Sequence, residues 1–248
     1  MVKRKGSPKK HSGKIPRTDP PYHTMIYKGA KFIDIDAGIG MRILQMIGLW
    51  NAKASELMPG DEEAWNDSME IKPTHSDKCF GLFVKKGSLE NGKLIAFMKG
   101  EIIISPKDSK KGLPPTHYDI QPAENCTYTT SDADGKTTVH EFDSYVRGTG
   151  IQEPFNGQLC NHTCLPEHQT CRYINMEPVE VTLTESGVIH TLRLPFVGVE
   201  SIKDLHEGSE CLVNYGEFML SDKEADGFIP CQCASCASDS GNGKFVMI

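Results

Sequence analysis

The chain has 248 residues, of which 38% are hydrophobic and 24% are charged, and its formal net charge is −6. This size and composition are ordinary for a globular protein with one large domain, or with one domain and small appendages. No apolar run approaches the roughly 20 residues that a membrane-spanning helix needs. The basic first residues lack the apolar core of a signal peptide, so we expect an intracellular protein.

The charge is unevenly spread along the chain. Residues 1–17 hold seven lysine or arginine side chains and no acidic one, so a total of −6 leaves about −13 for the rest. A segment of this composition cannot bury apolar surface, and residues 1–22 are therefore predicted to be a disordered basic arm. The arm indicates a nuclear-import signal or a nucleic-acid contact, and a solubilising tail explains it equally well.

Residues 23–74 are predicted to form an N-terminal extension with one helix, because apolar residues recur at helical spacing in MRILQMIGLW (41–50). Next come short strands at CFGLFVKKG (79–87) and on either side of a break at Lys99-Gly100. The stretch of about 105–150 is predicted to be a partly irregular insertion, with strands at CTYTT and KTTVHEF.

The clearest strand pattern lies further along. VEVTLTESGVIHTLRLPFVGVESI (179–202) alternates apolar and polar residues around a Glu-Ser-Gly turn, which predicts a hairpin. The chain beyond about residue 222 is polar and rich in cysteine. We therefore predict a mainly β fold made of several small sheets.

The nine cysteines favour metal binding over a disulfide framework, because their number is odd and an intracellular chain is reduced. Three of them, Cys231, Cys233 and Cys236, crowd into CQCASC, a metal-ligand pattern that lacks one ligand. Two more, Cys160 and Cys164, flank Asn161-His162 in LCNHTCLPEH.

Four segments carry the functional signal, in the order CFGLFVKKGSLENGKLIAFMKGE (79–101), NHTCLP (161–166), VESIKDLHEGSECLVNYGE (199–217) and CQCASC (231–236). Their order and content resemble the SET-domain methyltransferases that are followed by a post-SET zinc segment. The resemblance implies a SET-like domain at 75–222, with a knot-like threading of its C-terminal part, and a small zinc-bound post-SET-like segment at 223–248.

The same resemblance implies the cofactor and the site residues. S-adenosylmethionine would donate the methyl group, and a lysine side chain would accept it. The cofactor would lie along the backbone of Phe80, Gly81 and Leu82. Asn161 and His162 would hold its amino acid portion and adenine, and the catalytic Tyr215 would stand beside the transferring methyl group.

Elementary chemistry agrees with these roles. The sulfonium donor is already activated, so the protein mainly has to position the two partners. The lysine must arrive neutral, and both burial and the positive cofactor lower its pKa. An asparagine offers a donor and an acceptor, which suits an amino acid zwitterion.

The resemblance also completes the zinc site. In the family, the cysteine after the Asn-His-Ser motif supplies the fourth ligand, so Cys164 would join Cys231, Cys233 and Cys236 around a structural Zn²⁺. Cys160 is then interpreted as a small core residue.

The chain departs from the family pattern at three informative positions. Cys79 replaces the first glycine of Gly-x-Gly, Met98 replaces the channel tyrosine of Tyr-x-Gly-Glu, and Val213 replaces an aromatic residue two positions before Tyr215. These changes affect the lysine channel more than the cofactor site. A degenerate SET module that acts as a scaffold for chromatin or other proteins is therefore the alternative to an enzyme.

The sequence thus predicts a nuclear, chromatin-associated protein-lysine methyltransferase, with a histone tail as the expected substrate class because of the basic arm. The arm would also contact nucleic acid or nucleosomes. A third hypothesis is a zinc-stabilised nucleic-acid-binding protein, against which the acidic body argues.

Overall fold

The computed structural model describes residues 25–74, 80–107, 119–148 and 152–215, together with the backbone of short strands at 220–221, 228–230 and 245–247. The predicted arm (1–22) and the cysteine cluster (231–236) lie outside these residues. The same is true of Cys79 and of parts of the predicted insertion.

Strands dominate the described residues, and they are listed here in chain order. They are β1 (Tyr27–Phe32), β2 (Met69–Pro73), β3 (Phe80–Val84), β4 (Ser88–Leu89), β5 (Leu94–Phe97), β6 (Gly100–Pro106), β7 (Asp119–Ile120), β8 (Cys126–Ser131), β9 (Thr137–Gly148), β10 (Asn161–His162), β11 (Cys171–Glu185), β12 (Val188–Ser201), β13 (Leu205–His206), β14 (Leu212–Val213), β15 (Leu220–Ser221), β16 (Phe228–Pro230) and β17 (Phe245–Met247). The helices are α1 (Ala37–Ser55) and α2 (Glu62–Ser68), and a 3₁₀ turn occupies Gly157–Leu159. Neither α-helix in this part of the chain has the length and hydropathy of a membrane span.

The largest sheet is a curled half-barrel with the strand order β1-β6-β9-β8-β12-β11. In addition, β5 pairs with β12 and β7 pairs with β9. β1 is parallel to β6, and the other pairs in this sheet are antiparallel. Four small sheets surround it, formed by β2-β3, β10-β14, β13-β4 and β15-β17-β16. The predicted mainly β fold of several small sheets is confirmed.

The two longest strands of the large sheet, β11 and β12, form a hairpin. Ser186 and Gly187 form its two-residue turn, and both have positive φ (51° and 80°), as a type I′ turn requires. The predicted hairpin is confirmed, but β11 begins eight residues earlier, at Cys171. A register shift between Met176 and Val179 interrupts the pairing there.

Helix α1 covers the main core. Asp36 caps its first turn by accepting hydrogen bonds from the backbone N–H groups of Gly38 and Ile39. Its buried face carries Trp50, which is fully buried, and Met46. This face packs with residues of β6, β8 and β12 into the larger hydrophobic cluster.

A second hydrophobic cluster lies below the small sheets. It contains Trp65 of α2, Leu82 of β3, Phe155, Val199 and Val213, together with three cysteines. β3 and β14 are therefore anchored in this second core through Leu82 and Val213, and β10, which carries Asn161 and His162, pairs with β14.

Candidate functional site

Three segments that are far apart in the chain meet above the second core. β3 runs beside residues 209–211, with hydrogen bonds from Val84 N to Ser209 O (2.9 Å) and from Cys211 N to Leu82 O (2.8 Å). β10 pairs in parallel with β14, so that Asn161 lies opposite Leu212. The structure thus brings together Phe80, Gly81, Leu82, Asn161, His162 and Tyr215.

Gly81 lies where no side chain fits. A Cβ atom there would be 2.7 Å from Glu210 Oε1, 2.8 Å from Asn161 Nδ2 and 2.9 Å from the ring of Phe83. Such distances are well inside van der Waals contact, so the polar groups of Asn161 and Glu210 lie directly against the backbone of β3. A side chain at position 81 would therefore force these neighbouring side chains to shift, although the backbone conformation there is ordinary.

The Asn161 side chain is oriented by two acceptors. Its Nδ2 donates to Glu210 Oε1 (2.8 Å) and to Phe80 O (3.3 Å). Both amide hydrogens are then used, which also fixes which atom is nitrogen, because a carboxylate and a carbonyl can only accept. The expectation that Asn161 offers a ligand both a donor and an acceptor changes, since only the acceptor Oδ1 remains.

The His162 ring is held within the protein. Its Nδ1 accepts from Tyr215 N (3.2 Å), and its Nε2 lies 3.1 Å from Cys164 Sγ. A backbone N–H can only donate, so Nδ1 is the acceptor and the neutral ring carries its proton on Nε2, which donates to the sulfur.

The direction of the backbone N–H and C=O groups of His162 follows from the pairing of β10 with β14. Thr163 N donates to Val213 O (2.9 Å), towards β14. Because adjacent residues of a strand point their peptide groups to opposite sides, the N–H and C=O of His162 point away from β14. They form a donor-acceptor pair on the outer edge of β10.

Tyr215 is fixed at both ends. Its hydroxyl donates to Cys160 O (3.1 Å). Its ring lies 4.9 Å from the His162 ring and is stacked 6.4 Å from the Tyr173 ring. The hydroxyl proton is thus used by a backbone carbonyl.

Three thiols lie directly beneath this arrangement. The side chains of Cys160, Cys171 and Cys211 are fully buried and belong to the second core. The hydrogen bond with Cys211, followed by burial, holds the pKa of Cys171 well above its usual range. Burial likewise raises the pKa of Tyr173, helped by the nearby Tyr215. These groups stay neutral and act as packing, and Cys160 is fully buried as expected.

Of the four predicted zinc ligands, Cys164 lies in the described chain and is half-buried. Cys231, Cys233 and Cys236 lie outside it. Within the described ranges no group of three or more His, Cys, Asp or Glu side chains is placed to hold a metal ion.

Two of the three departures from the family pattern, Met98 and Val213, lie in the described chain, and both are buried. Met98 is 2% exposed in the main core, and its backbone N–H donates to Val197 O (2.8 Å). Val213 is fully buried in the second core. Neither side chain adds a polar group to the site.

Sequence reasoning did not single out Glu210 or Thr170. The Thr170 hydroxyl donates to Glu210 O (2.8 Å) and accepts from Leu212 N (2.6 Å), so it joins the start of β11 to the entry of β14. A lone acidic residue between Ser209 and the apolar run Cys211–Val213 is the signal from which Glu210 could have been found. No pattern marks Thr170.

No protein-family model matches the chain, and a search of curated proteins finds no match. The function therefore has to be argued from the residues and their geometry.

Proposed function

We propose that this protein is an S-adenosylmethionine-dependent protein-lysine methyltransferase with a SET-type site. The supporting observation is the meeting of the three motif segments. Asn161 Nδ2 reaches Phe80 O at 3.3 Å, and Tyr215 N reaches His162 Nδ1 at 3.2 Å. Motif segments separated by tens of residues in the chain lie close together, with β10 paired to β14, and this proximity supports the proposal.

The residues present fit the proposed cofactor. When bound, S-adenosylmethionine supplies an activated methyl group. Gly81 lets the polar groups of Asn161 and Glu210 lie against the backbone of β3, and Asn161 Oδ1 offers an acceptor to an amino group. The resemblance assigns the adenine to His162, whose ring is engaged by Tyr215 N and Cys164.

Tyr215 is the proposed catalytic residue. Its hydroxyl donates to Cys160 O, which fixes the position from which the oxygen would orient the attacking amine or contact the polarised methyl group. The stacked Tyr173 and the tilted His162 ring hold the phenol ring in place. A fixed acceptor orients the lysine amine for in-line attack without proton transfer in the same step.

The zinc, substrate and location remain part of the proposal. Cys164, Cys231, Cys233 and Cys236 would bind one structural Zn²⁺. The His162 Nε2–H donor on Cys164 Sγ supports this role, because ligating thiolates accept such hydrogen bonds. A nuclear histone tail is the proposed substrate, and the basic arm would help to bind nucleosomes.

A non-catalytic scaffold is the second candidate, and the buried Met98 favours it. The side chain at this position is packed into the main core and brings no hydroxyl to the channel. The two candidates differ in methyl transfer and not in fold.

The decisive experiment compares Tyr215→Phe with the control Tyr128→Phe. The hydroxyl of Tyr128 contacts His190 Nδ1 at 2.7 Å in the large sheet, away from the site. We expect Tyr215→Phe to lower kcat on histone substrates on the order of 100-fold while cofactor affinity stays within about 3-fold. Tyr128→Phe should change neither quantity.

Cofactor binding is measured by calorimetry, and transfer with labelled S-adenosylmethionine. A wild-type protein that binds no cofactor would refute the proposal. Binding without transfer to histones, peptides or the protein itself would establish the scaffold instead.

A further inference from the structure

Within the proposed site, we infer that Glu210 and Asn161 form a receptor for the primary ammonium group of the methyl donor, and that Glu210 is its charged member. This inference rests on the proposed function. It adds a specificity-determining residue that the sequence motifs did not assign.

The first step is the polarity of Asn161. Its two amide hydrogens are used by Glu210 Oε1 (2.8 Å) and Phe80 O (3.3 Å). Among the described residues no hydrogen bond reaches Asn161 Oδ1, which is left as an acceptor. A ligand group at this position must therefore donate.

The second step is the position of the Glu210 carboxylate. Its Oε1 lies against Gly81, where a Cβ would be at 2.7 Å, and accepts from Asn161 Nδ2 at 2.8 Å. The backbone of Glu210 is fixed by the Thr170 hydroxyl (2.8 Å) and by a bridge to Phe83. The carboxylate is thus held beside Asn161 by its own hydrogen bond and by a fixed backbone.

The third step is charge. In the described part of the chain, none of the ion pairs includes Glu210. Lys72, which lies opposite Gly81 in the β2-β3 pair, contacts Glu70 at 2.7 Å. Glu210 therefore brings negative charge to a half-buried position beside the acceptor Asn161 Oδ1.

A carboxylate next to an amide acceptor selects a cationic donor. An ammonium group has three N–H donors and no acceptor, so it can bond Asn161 Oδ1 and a Glu210 oxygen together. A charged hydrogen bond of this kind is stronger than a neutral one, so Glu210 should contribute much of the affinity for the amino acid portion.

The test uses Glu210→Gln and three ligands. Glutamine keeps an oxygen for Asn161 Nδ2, so it preserves the orientation of Asn161 and removes only the charge. S-adenosylmethionine has an ammonium and a sulfonium, S-adenosylhomocysteine has the ammonium alone, and methylthioadenosine lacks the amino acid portion. Glu207→Gln, three positions earlier and exposed, is the matched control.

We expect Glu210→Gln to raise Kd about 10- to 100-fold for both S-adenosylmethionine and S-adenosylhomocysteine, and to leave Kd for methylthioadenosine unchanged. Glu207→Gln should change none of the three. Glu210→Asp, which keeps the charge on a shorter side chain, should bind both amino acid ligands more tightly than Glu210→Gln.

Three other outcomes would overturn the inference. Loss for S-adenosylmethionine alone would place Glu210 beside the sulfonium. Equal loss for all three ligands would make its role structural, and no loss would remove it from the site. Each of these leaves wild-type binding intact and so spares the proposed function. A wild-type protein that binds no adenosyl ligand would overturn both.

Discussion

The two tryptophans of the chain anchor two different cores. Trp50 on α1 stacks on Tyr27 with ring centroids 4.6 Å apart, meets Phe196 edge-on at 5.5 Å, and donates from Nε1 to Val179 O at 3.0 Å. The ring of Trp65 on α2 is tilted against the ring of Phe155, with centroids 5.3 Å apart. It too donates from Nε1 to a backbone carbonyl at 3.0 Å.

The two cores are nevertheless built in different ways. The main core is a helix face closed onto one continuous sheet, so burial of large apolar side chains stabilises it. The second core lies under strands of two to five residues, which are joined by bonds such as Thr170 Oγ1 to Glu210 O and Tyr215 OH to Cys160 O. Short strands carry few ladder hydrogen bonds, so side chains complete the connection. The candidate site is on the region whose geometry depends on individual polar contacts.

The largest predicted effect comes from Trp50→Ala. Removing a fully buried indole that has two ring partners and a hydrogen bond should cost about 3–5 kcal/mol of unfolding free energy, measured by urea denaturation. Trp65→Ala is the matched variant and should cost less, because its ring has one aromatic partner.

The same pair separates stability from function. Trp65→Ala should weaken S-adenosylmethionine binding in the folded protein, whereas Trp50→Ala should leave it unchanged. A reversed order in either measurement would contradict the assignment of the site to the second core.

The difference between the cores also explains what the sequence could predict. Periodic patterns located α1 and the β11-β12 hairpin, because both bury one face along many residues. The helix begins four residues before Met41, at Ala37, since the first turn contains two glycines and depends on the cap by Asp36. Helix α2 was not predicted, because Trp65 is its single buried residue and leaves no periodicity.

Side-chain contacts across the second core could not be predicted from patterns in the sequence. The motif order located Asn161 and Tyr215, yet it did not show that Glu210 takes an amide hydrogen of Asn161 from 49 positions away. Nor did it indicate Thr170. A single hydrogen bond between distant segments imposes no period on either segment, so it appears only in the folded structure.

The next largest effect on stability is expected from a buried charge cluster that connects the two cores. Lys99, fully buried between β5 and β6, lies 3.6 Å from Glu153 and donates to Pro154 O at 2.9 Å. Lys28 of β1 contacts the same carboxylate. Burial lowers the pKa of Lys99 from 10.5 to about 8, with Glu153 opposing the shift and Lys28 adding to it.

A lowered lysine pKa means that the unfolded chain binds more protons than the folded one between about pH 8 and 10.5. Stability should therefore rise with pH across this window, on the order of 3 kcal/mol in total relative to Lys99→Met. Urea unfolding of both proteins at several pH values measures the difference, with the exposed Lys86→Met as control. A pH-independent difference between wild type and Lys99→Met would show that the amine stays charged.

Gly81→Ala should reverse the balance expected for Trp50→Ala, because it should cost little stability but cause a severe loss of cofactor binding. The new Cβ would collide with Glu210 Oε1 and Asn161 Nδ2, so we expect about 1–3 kcal/mol of destabilisation and loss of most cofactor affinity. Gly29→Ala in β1 is the control, because a Cβ there meets nothing within 4 Å. Normal calorimetric binding by Gly81→Ala would show that ligands do not approach along β3.

The smallest effect compares the caps of the two helices. Asp36 accepts from Gly38 N (2.8 Å) and Ile39 N (3.1 Å), whereas Asp61 accepts from Ala64 N alone (2.8 Å). Asp36→Ala should cost about 1 kcal/mol and Asp61→Ala somewhat less, because fewer N–H groups lose an acceptor. Since α1 packs on the main core, Asp36→Ala should lower the unfolding free energy without changing cofactor affinity. Asp61 is close to Trp65, so the loss of unfolding free energy in Asp61→Ala should be accompanied by a small loss of cofactor binding. If the two variants affect cofactor binding equally, the two cores unfold as a single cooperative unit. They would then differ in how they are built, but they would not be stable independently of each other.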